Sequence, residues 1–133
     1  MDILDESTCW ELFATAEVAR LAVVVGDDLE VFPINFVIDD RTVVFQTGEG
    51  TKLAAVTIAQ RVVIEADGYD SSRNKVWSVV IRGEADRLTD FQEIYRVEKL
   101  PLRAWTDHPK QWFVRVRPTE VSGRQFYRRR LDG

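Results

Sequence analysis

Metal and thiol chemistry have little to work with here, since the 133 residues include one cysteine and one histidine. A lone cysteine excludes an internal disulfide and fits a reducing cytoplasm. With so few soft ligands, no cluster of metal-binding spacing can be assembled. No apolar run reaches the roughly 20 residues that cross a bilayer as a helix; Leu21 to Val25 suits a strand. The first residues are acidic rather than basic and then apolar, so no secretory signal is expected. Positive charge is in deficit, and a formal net charge of −4 argues against a general nucleic-acid binder. Arg128-Arg129-Arg130 is a local exception and reads as a solvated basic tail. The chain has no Gly-x-Gly-x-x-Gly fingerprint, no phosphate loop of the ATPase kind and no nucleophile elbow. Nothing repeats internally.

What is there is the composition of a soluble globular domain, 45% hydrophobic and 30% charged. Its length suits a single domain over residues 1–133 with one core. Residues 7 to 17 read as a helix, with Thr8 and Glu11 at capping-box spacing and Trp10, Phe13 and Ala14 as its apolar stripe. Cys9 on that segment reads as a packing residue. Arg20 to Val25 is nearly all apolar, so a strand buried on both sides is expected. Further strands are expected at Arg61–Asp67, at Val76–Ala85 beyond a polar loop from Asp70 to Lys75, at Trp112–Pro118 and at Thr119–Tyr127. Gly83 suggests a bulge that turns a barrel corner, and Gly123 a break. A second helix opens at Thr89-Asp90, with Phe91, Ile94 and Tyr95 on one side, and Pro101 ends it. The loop from 101 to 110 carries Trp105 and His108, the latter expected to be exposed. Short strands joined mostly by tight turns favour an antiparallel barrel over a parallel sheet.

The informative stretch runs from Val31 to Val56. Phe32, Ile34, Phe36 and Ile38 alternate with Val31, Pro33, Asn35 and Val37 as the two faces of a strand. Pro33 has no N–H for a ladder, so the strand is interrupted there, at an edge or a bulge, and nearby backbone groups are left for another partner. Asp39-Asp40-Arg41 turns the chain into a second strand, Thr42 to Thr47. That strand runs into Gly48-Glu49-Gly50 and then a helix from 51 to 59, with Thr51 as N-cap. Lys52 places a cation in the first turn, where the helix dipole favours anions. A phosphate there would resolve the conflict, pairing with the lysine, the hydroxyl and the free amides. An ordinary solvent-facing Thr-Lys turn accounts for the same residues.

Phe32–Phe36, Phe45–Thr47 and Thr51-Lys52 resemble the flavin-binding core of the pyridoxamine 5′-phosphate oxidase-like family. The likeness extends over roughly residues 7 to 126 through the order of elements. It implies a mainly β fold with a few short helices, a split antiparallel (Greek-key) β-barrel of the FMN-binding type. It implies FMN along Phe32, Pro33, Ile34, Asn35 and Phe36, with Phe45, Gln46, Thr47, Thr51 and Lys52 toward the phosphate. It also implies that Trp77 and Ser78 meet the flavin, often from a second subunit, so a homodimer is expected. On residues alone, Trp77 is equally a plug that closes the barrel.

The B6 oxidases proper carry an Arg-x-His segment near the C-terminus. Here that strand reads Ser122-Gly123-Arg124-Gln125-Phe126-Tyr127-Arg128 without a histidine, so B6 oxidation is not expected. Three readings follow. One is a cytoplasmic flavin-dependent oxidoreductase that passes a hydride to or from a small-molecule substrate, the chemistry being the cofactor's. The others are a deazaflavin-dependent reductase of the same fold and a non-catalytic module for flavin or haem.

Overall fold

The computed structural model describes residues 1–48, 52–102 and 111–129, leaving the side chains of Lys52 and Gln111 aside. Three hairpins build most of the sheet. In the first, β2 (Ala19–Val25) pairs with β3 (Asp28–Ile34) across Gly26-Asp27. Gly26 takes φ +63°, the left-handed conformation that glycine adopts without strain. Burial in β2 alternates: Ala19, Leu21 and Val23 are inside, while Val24 is 55% exposed. The expected two-sided burial is therefore corrected to one buried face, the other lying on the outside of the sheet.

In the second hairpin, Asp40 and Arg41 at positive φ join β4 (Val37–Asp39) to β5 (Thr42–Gly48). In the third, β6 (Arg61–Asp70) meets β7 (Lys75–Arg87) through a polar turn. Asp70 organises that turn by accepting hydrogen bonds from the Ser72 and Arg73 amides and the Ser72 hydroxyl. β8 (Gln111–Tyr127) and β1 (Asp2–Ile3) complete one antiparallel sheet in the order β3-β2-β6-β7-β8-β5-β4, with β1 on β8. β3 and β4 thus lie at opposite ends of the sheet order, yet only Asn35 and Phe36 separate them in the chain. Three Cα steps span at most roughly 11 Å, so the sheet must roll until its two ends meet. This is the split antiparallel barrel.

One hydrophobic cluster fills the roll, drawing Leu21, Ile34, Phe45, Ile64, Val79, Ile81 and Val114 from six strands. The helix α1 (Glu6–Ala14) adds Cys9, Trp10 and Phe13 to it. Asp5 is the cap of α1, its carboxylate accepting from the Thr8 amide at 2.8 Å. Thr8 is therefore inside the helix rather than at its start, and the helix ends at Ala14 rather than 17. A second cluster of Val44, Leu88 and Val97 lies on the outer side of the sheet beneath α3 (Phe91–Glu98). Asp90 caps α3 through the Gln92 and Glu93 amides. Ile94 and Val97 face the sheet, whereas Phe91 and Tyr95 are 88% and 63% exposed. The apolar side expected for this helix is thereby corrected.

β8 is one strand of 17 residues, where two were expected. The register with β7 slips between Arg82 and Gly83, leaving Thr119 as the extra residue. A Cβ at Gly83 would stand 2.5 Å from the Arg117 carbonyl oxygen, so the bulge falls where glycine permits it. Gly123 breaks nothing. It pairs with Val79, and a Cβ there would lie 2.6 Å from Cys9 Sγ. Burial, with Asp5 and Glu6 nearby, pushes the Cys9 thiol up, consistent with packing rather than reactivity. The helix expected over 51–59 is a 3-10 turn, Lys52–Ala55, running into the short α2 (Val56–Ala59). Among the described residues no helix is long and apolar enough to cross a membrane.

Candidate functional site

The barrel is split where the sequence places its proline. Pro33 sits opposite Arg20, on the terminal strand of the sheet order. The tight turn makes Val25 and Asp28 a hydrogen-bonded pair, and counting by twos makes Arg20 and Pro33 a non-hydrogen-bonded one. The missing N–H of Pro33 therefore costs β2 no bond and faces the open edge. The same count turns the Leu29 and Val31 amides, and the carbonyls of Leu29, Val31 and Pro33, outward along that edge. The interruption itself falls at Asn35-Phe36, just past the proline.

Tertiary contacts fix this break. Asn35 Nδ2 donates to the Glu17 carbonyl at 3.1 Å. The Phe36 ring packs on Phe13, centroids 4.6 Å apart. Phe32 and Phe36 are half-buried against the core, and Ile34 is inside it. Phe45 is fully buried, Thr47 is buried, and Gln46 is half-buried on the opposite side of β5. Continuing the Val37–Val44 register backward sets Phe36 beside Phe45. Phe36 and Phe45 are thus brought together at the split, with Thr47 two residues further along the same face of β5. Thr51 and the Lys52 side chain lie outside the described residues, as do Trp105 and His108.

Trp77 and Ser78 stand at the start of β7, three and two residues before Val80, which closes the cross-strand row Pro33–Arg20–Glu65–Val80. Arg87, at the other end of β7, is the residue level with Phe45, pairing with Val114, which pairs with Phe45. Trp77 is buried, and Gly68 makes room for it: a Cβ there would stand 2.7 Å from the indole nitrogen. Ser78 opens with Tyr69, Arg124 and Phe126 onto a groove of about 630 Å³ at the start of β7.

Two charged clusters frame the split, and neither is visible from spacing along the chain. Beside Pro33, Arg20 bonds Glu65 at 2.6 Å and Asp67 at 2.7 Å, so that guanidinium is already committed. Burial pushes the Glu65 carboxyl up in spite of Arg20. Behind the β4–β5 hairpin, Arg115 is nine-tenths buried and reaches Asp39 at 2.9 Å, the Thr42 hydroxyl at 2.5 Å and Glu93 at 2.8 Å. Arg96 of α3 grips the same Asp39 at 2.6 and 3.0 Å. Arg96, and then Arg115, hold the Asp39 carboxyl down at about 2. These contacts lock the hairpin that carries Phe45–Thr47 to the helix outside it. Phe113, Arg115 and Arg117 share the outer face of β8, and Arg115 is buried because α3 covers that part of the sheet.

The sequence matches the pyridoxamine 5′-phosphate oxidase family over residues 5–125. It is 38% identical to the FAD binding protein from Mycobacterium smegmatis, with a TM-score of 0.82 over 94% of this chain and 99% of that one. It is 36% identical over 89 residues to the Mycobacterium tuberculosis protein Rv3129, covering 67% of this chain and 79% of the relative. An FAD-binding protein from Mesorhizobium loti, 24% identical, shares the fold at a TM-score of 0.77 over 93% of this chain and 95% of its own. By its sequence match and its architecture, the chain belongs to the pyridoxamine 5′-phosphate oxidase family.

Proposed function

We propose that the chain binds a flavin along the split between β3 and β5 and works as a flavin-dependent oxidoreductase on a small molecule. The observation that carries this reading is the open β3 edge. Outward amides and carbonyls around Pro33 offer hydrogen bonds to a planar heterocycle, beside the half-buried rings of Phe32 and Phe36. The donor set fits the polar edge of an isoalloxazine. A flavin bound there supplies hydride transfer. The protein holds the ring by backbone amides near Pro33–Asn35, excludes water with Phe32 and Phe36, and directs the anionic tail past Thr47 toward Thr51 and Lys52. FMN is the cofactor proposed, and the FAD-binding relative at 38% identity supports a flavin of one kind or another.

A second copy of the chain belongs to the proposal. In this reading Trp77 and Ser78 meet the flavin of the second copy, across a homodimer. Exposed Val24, Leu29 and Val31, at 55, 73 and 59%, give the outer face of β2 and β3 apolar area for such an interface.

The protein purified from cells should be yellow with oxidised-flavin absorption, and mass spectrometry of the released ligand identifies it. Lys52→Ala should weaken FMN binding by about 1.5–3 kcal/mol, the range for a bond to a charged group. Colourless protein that quenches neither FMN nor FAD fluorescence rejects the flavin reading. Bleaching only by a reduced deazaflavin would move it to the deazaflavin-dependent reductases.

A further inference from the structure

β7 ends beside the strand given above to the anionic tail. Arg87 pairs with Val114 and Val114 with Phe45, while Trp112 pairs with Thr47. By alternation, Arg87 shares a face with buried Ala85, Trp112 with buried Val114, and Thr47 with buried Phe45. All three side chains therefore lie on the inner face of the barrel, at the end where its core runs out. The Arg87 guanidinium stacks on the Trp112 indole, 3.9 Å from the ring centroid. Trp112 and Thr47 are direct cross-strand neighbours, whose Cβ atoms stand about 5 Å apart in such pairs. A positive charge is thus seated about one ring's width from Thr47.

That charge has no acidic partner among the described residues. Asp86, its chain neighbour, is bound by Arg117, and Asp39 and Glu93 are engaged by Arg115 and Arg96 on the outer side of the sheet. Arg61, Arg82 and Arg124 likewise lack an ion pair among the described residues, but Arg87 is the arginine stacked on an indole beside Thr47. Its planar fork suits two parallel bonds to phosphate oxygens, and stacking on the indole orders it before any ligand arrives.

We propose that Arg87, held by Trp112, is a binding residue for the phosphate of the bound flavin, a second cation in addition to Lys52. The inference rests on the flavin reading and adds to it a specificity for phosphorylated flavins. The recognised group is a phosphate ester, which FMN carries as a monophosphate and FAD within a diphosphate.

Fluorescence titrations of riboflavin, FMN and FAD against the full chain, Arg87→Gln and Arg87→Lys test it. Arg87 is exposed and makes no ion pair among the described residues, so both variants should fold, with thermal unfolding lowered by no more than the loss of the indole stack. Arg87→Gln should weaken binding of the phosphorylated flavin about tenfold or more while leaving riboflavin within about twofold. Arg87→Lys should recover part of the loss. A loss confined to FMN assigns the monophosphate, one confined to FAD the diphosphate, and an equal loss the phosphate they share. If the parent prefers FMN or FAD to riboflavin and Arg87→Gln keeps that preference, the role of Arg87 is overturned while the flavin reading stands. An equal loss for riboflavin overturns it too. A parent that binds none of the three overturns both.

Discussion

Single atoms decide much at the residue scale, because the barrel interior leaves no slack. Gly123 lets α1 lie on β8. Adding a Cβ brings it to 2.6 Å from Cys9 Sγ and 3.1 Å from the Ser78 carbonyl oxygen. Gly123→Ala should cost about 1–3 kcal/mol, the usual range for overpacking, read from the urea midpoint. Cys9→Ala removes the sulfur that clashes, so the double variant should be less destabilised than the two single losses summed. Strict additivity in that cycle would place the strain elsewhere. Such glycines stand out in a sequence, but the neighbour that requires each one is hidden. Gly123 looked like a strand break until the helix above it was placed.

At the scale of elements, α3 is held by a cap and by a charge cluster, and each can be weakened alone. Asp90→Ala removes the acceptor for two helix amides and should cost about 1 kcal/mol. The Asp39 carboxyl is lowered from 3.8 to about 2 by its arginines. A lowered carboxyl stabilises the fold fully above its ordinary range, and that contribution is lost as pH falls through the folded value. For Asp39 it is on the order of 2 kcal/mol, disappearing between about pH 5 and pH 2. Urea midpoints across that window should fall more steeply for the parent chain than for Asp39→Asn. Parallel curves would mean that the arginines do not hold this carboxylate. The caps of α1 and α3 were nearly legible in the sequence, each displaced to an aspartate close to the expected threonine. The cluster was not, since Asp39 and Arg115 are 76 positions apart.

For the whole molecule, a flavin that binds only the folded barrel must raise its stability. At a free concentration 100 times Kd the gain is about 2.7 kcal/mol, a rise in Tm of roughly 10 °C for a domain of this size. Calorimetry with and without FMN reads it directly. A Tm that ignores FMN would contradict binding to the folded state. The proposed homodimer is checked by light scattering on the purified chain, and charged substitutions at Val24 and Val31 should shift its mass toward one protomer. Flavin affinity should fall with it if, as proposed, Trp77 and Ser78 complete the site from the second copy.

The sequence by itself determined most of the strands and their turns, the bulge at Gly83, the proline at an edge and the family. Each of these is written in a local pattern: alternation with period two, a turn residue, a missing N–H. Only the tertiary structure decided which strands are neighbours. That choice sends β3 and β4 to opposite ends of the sheet and forces the roll that makes the split. It also covers Arg115 with α3 and seats Arg87 near Thr47. Register between distant strands follows from how the whole apolar surface packs, and no short window of sequence contains that sum.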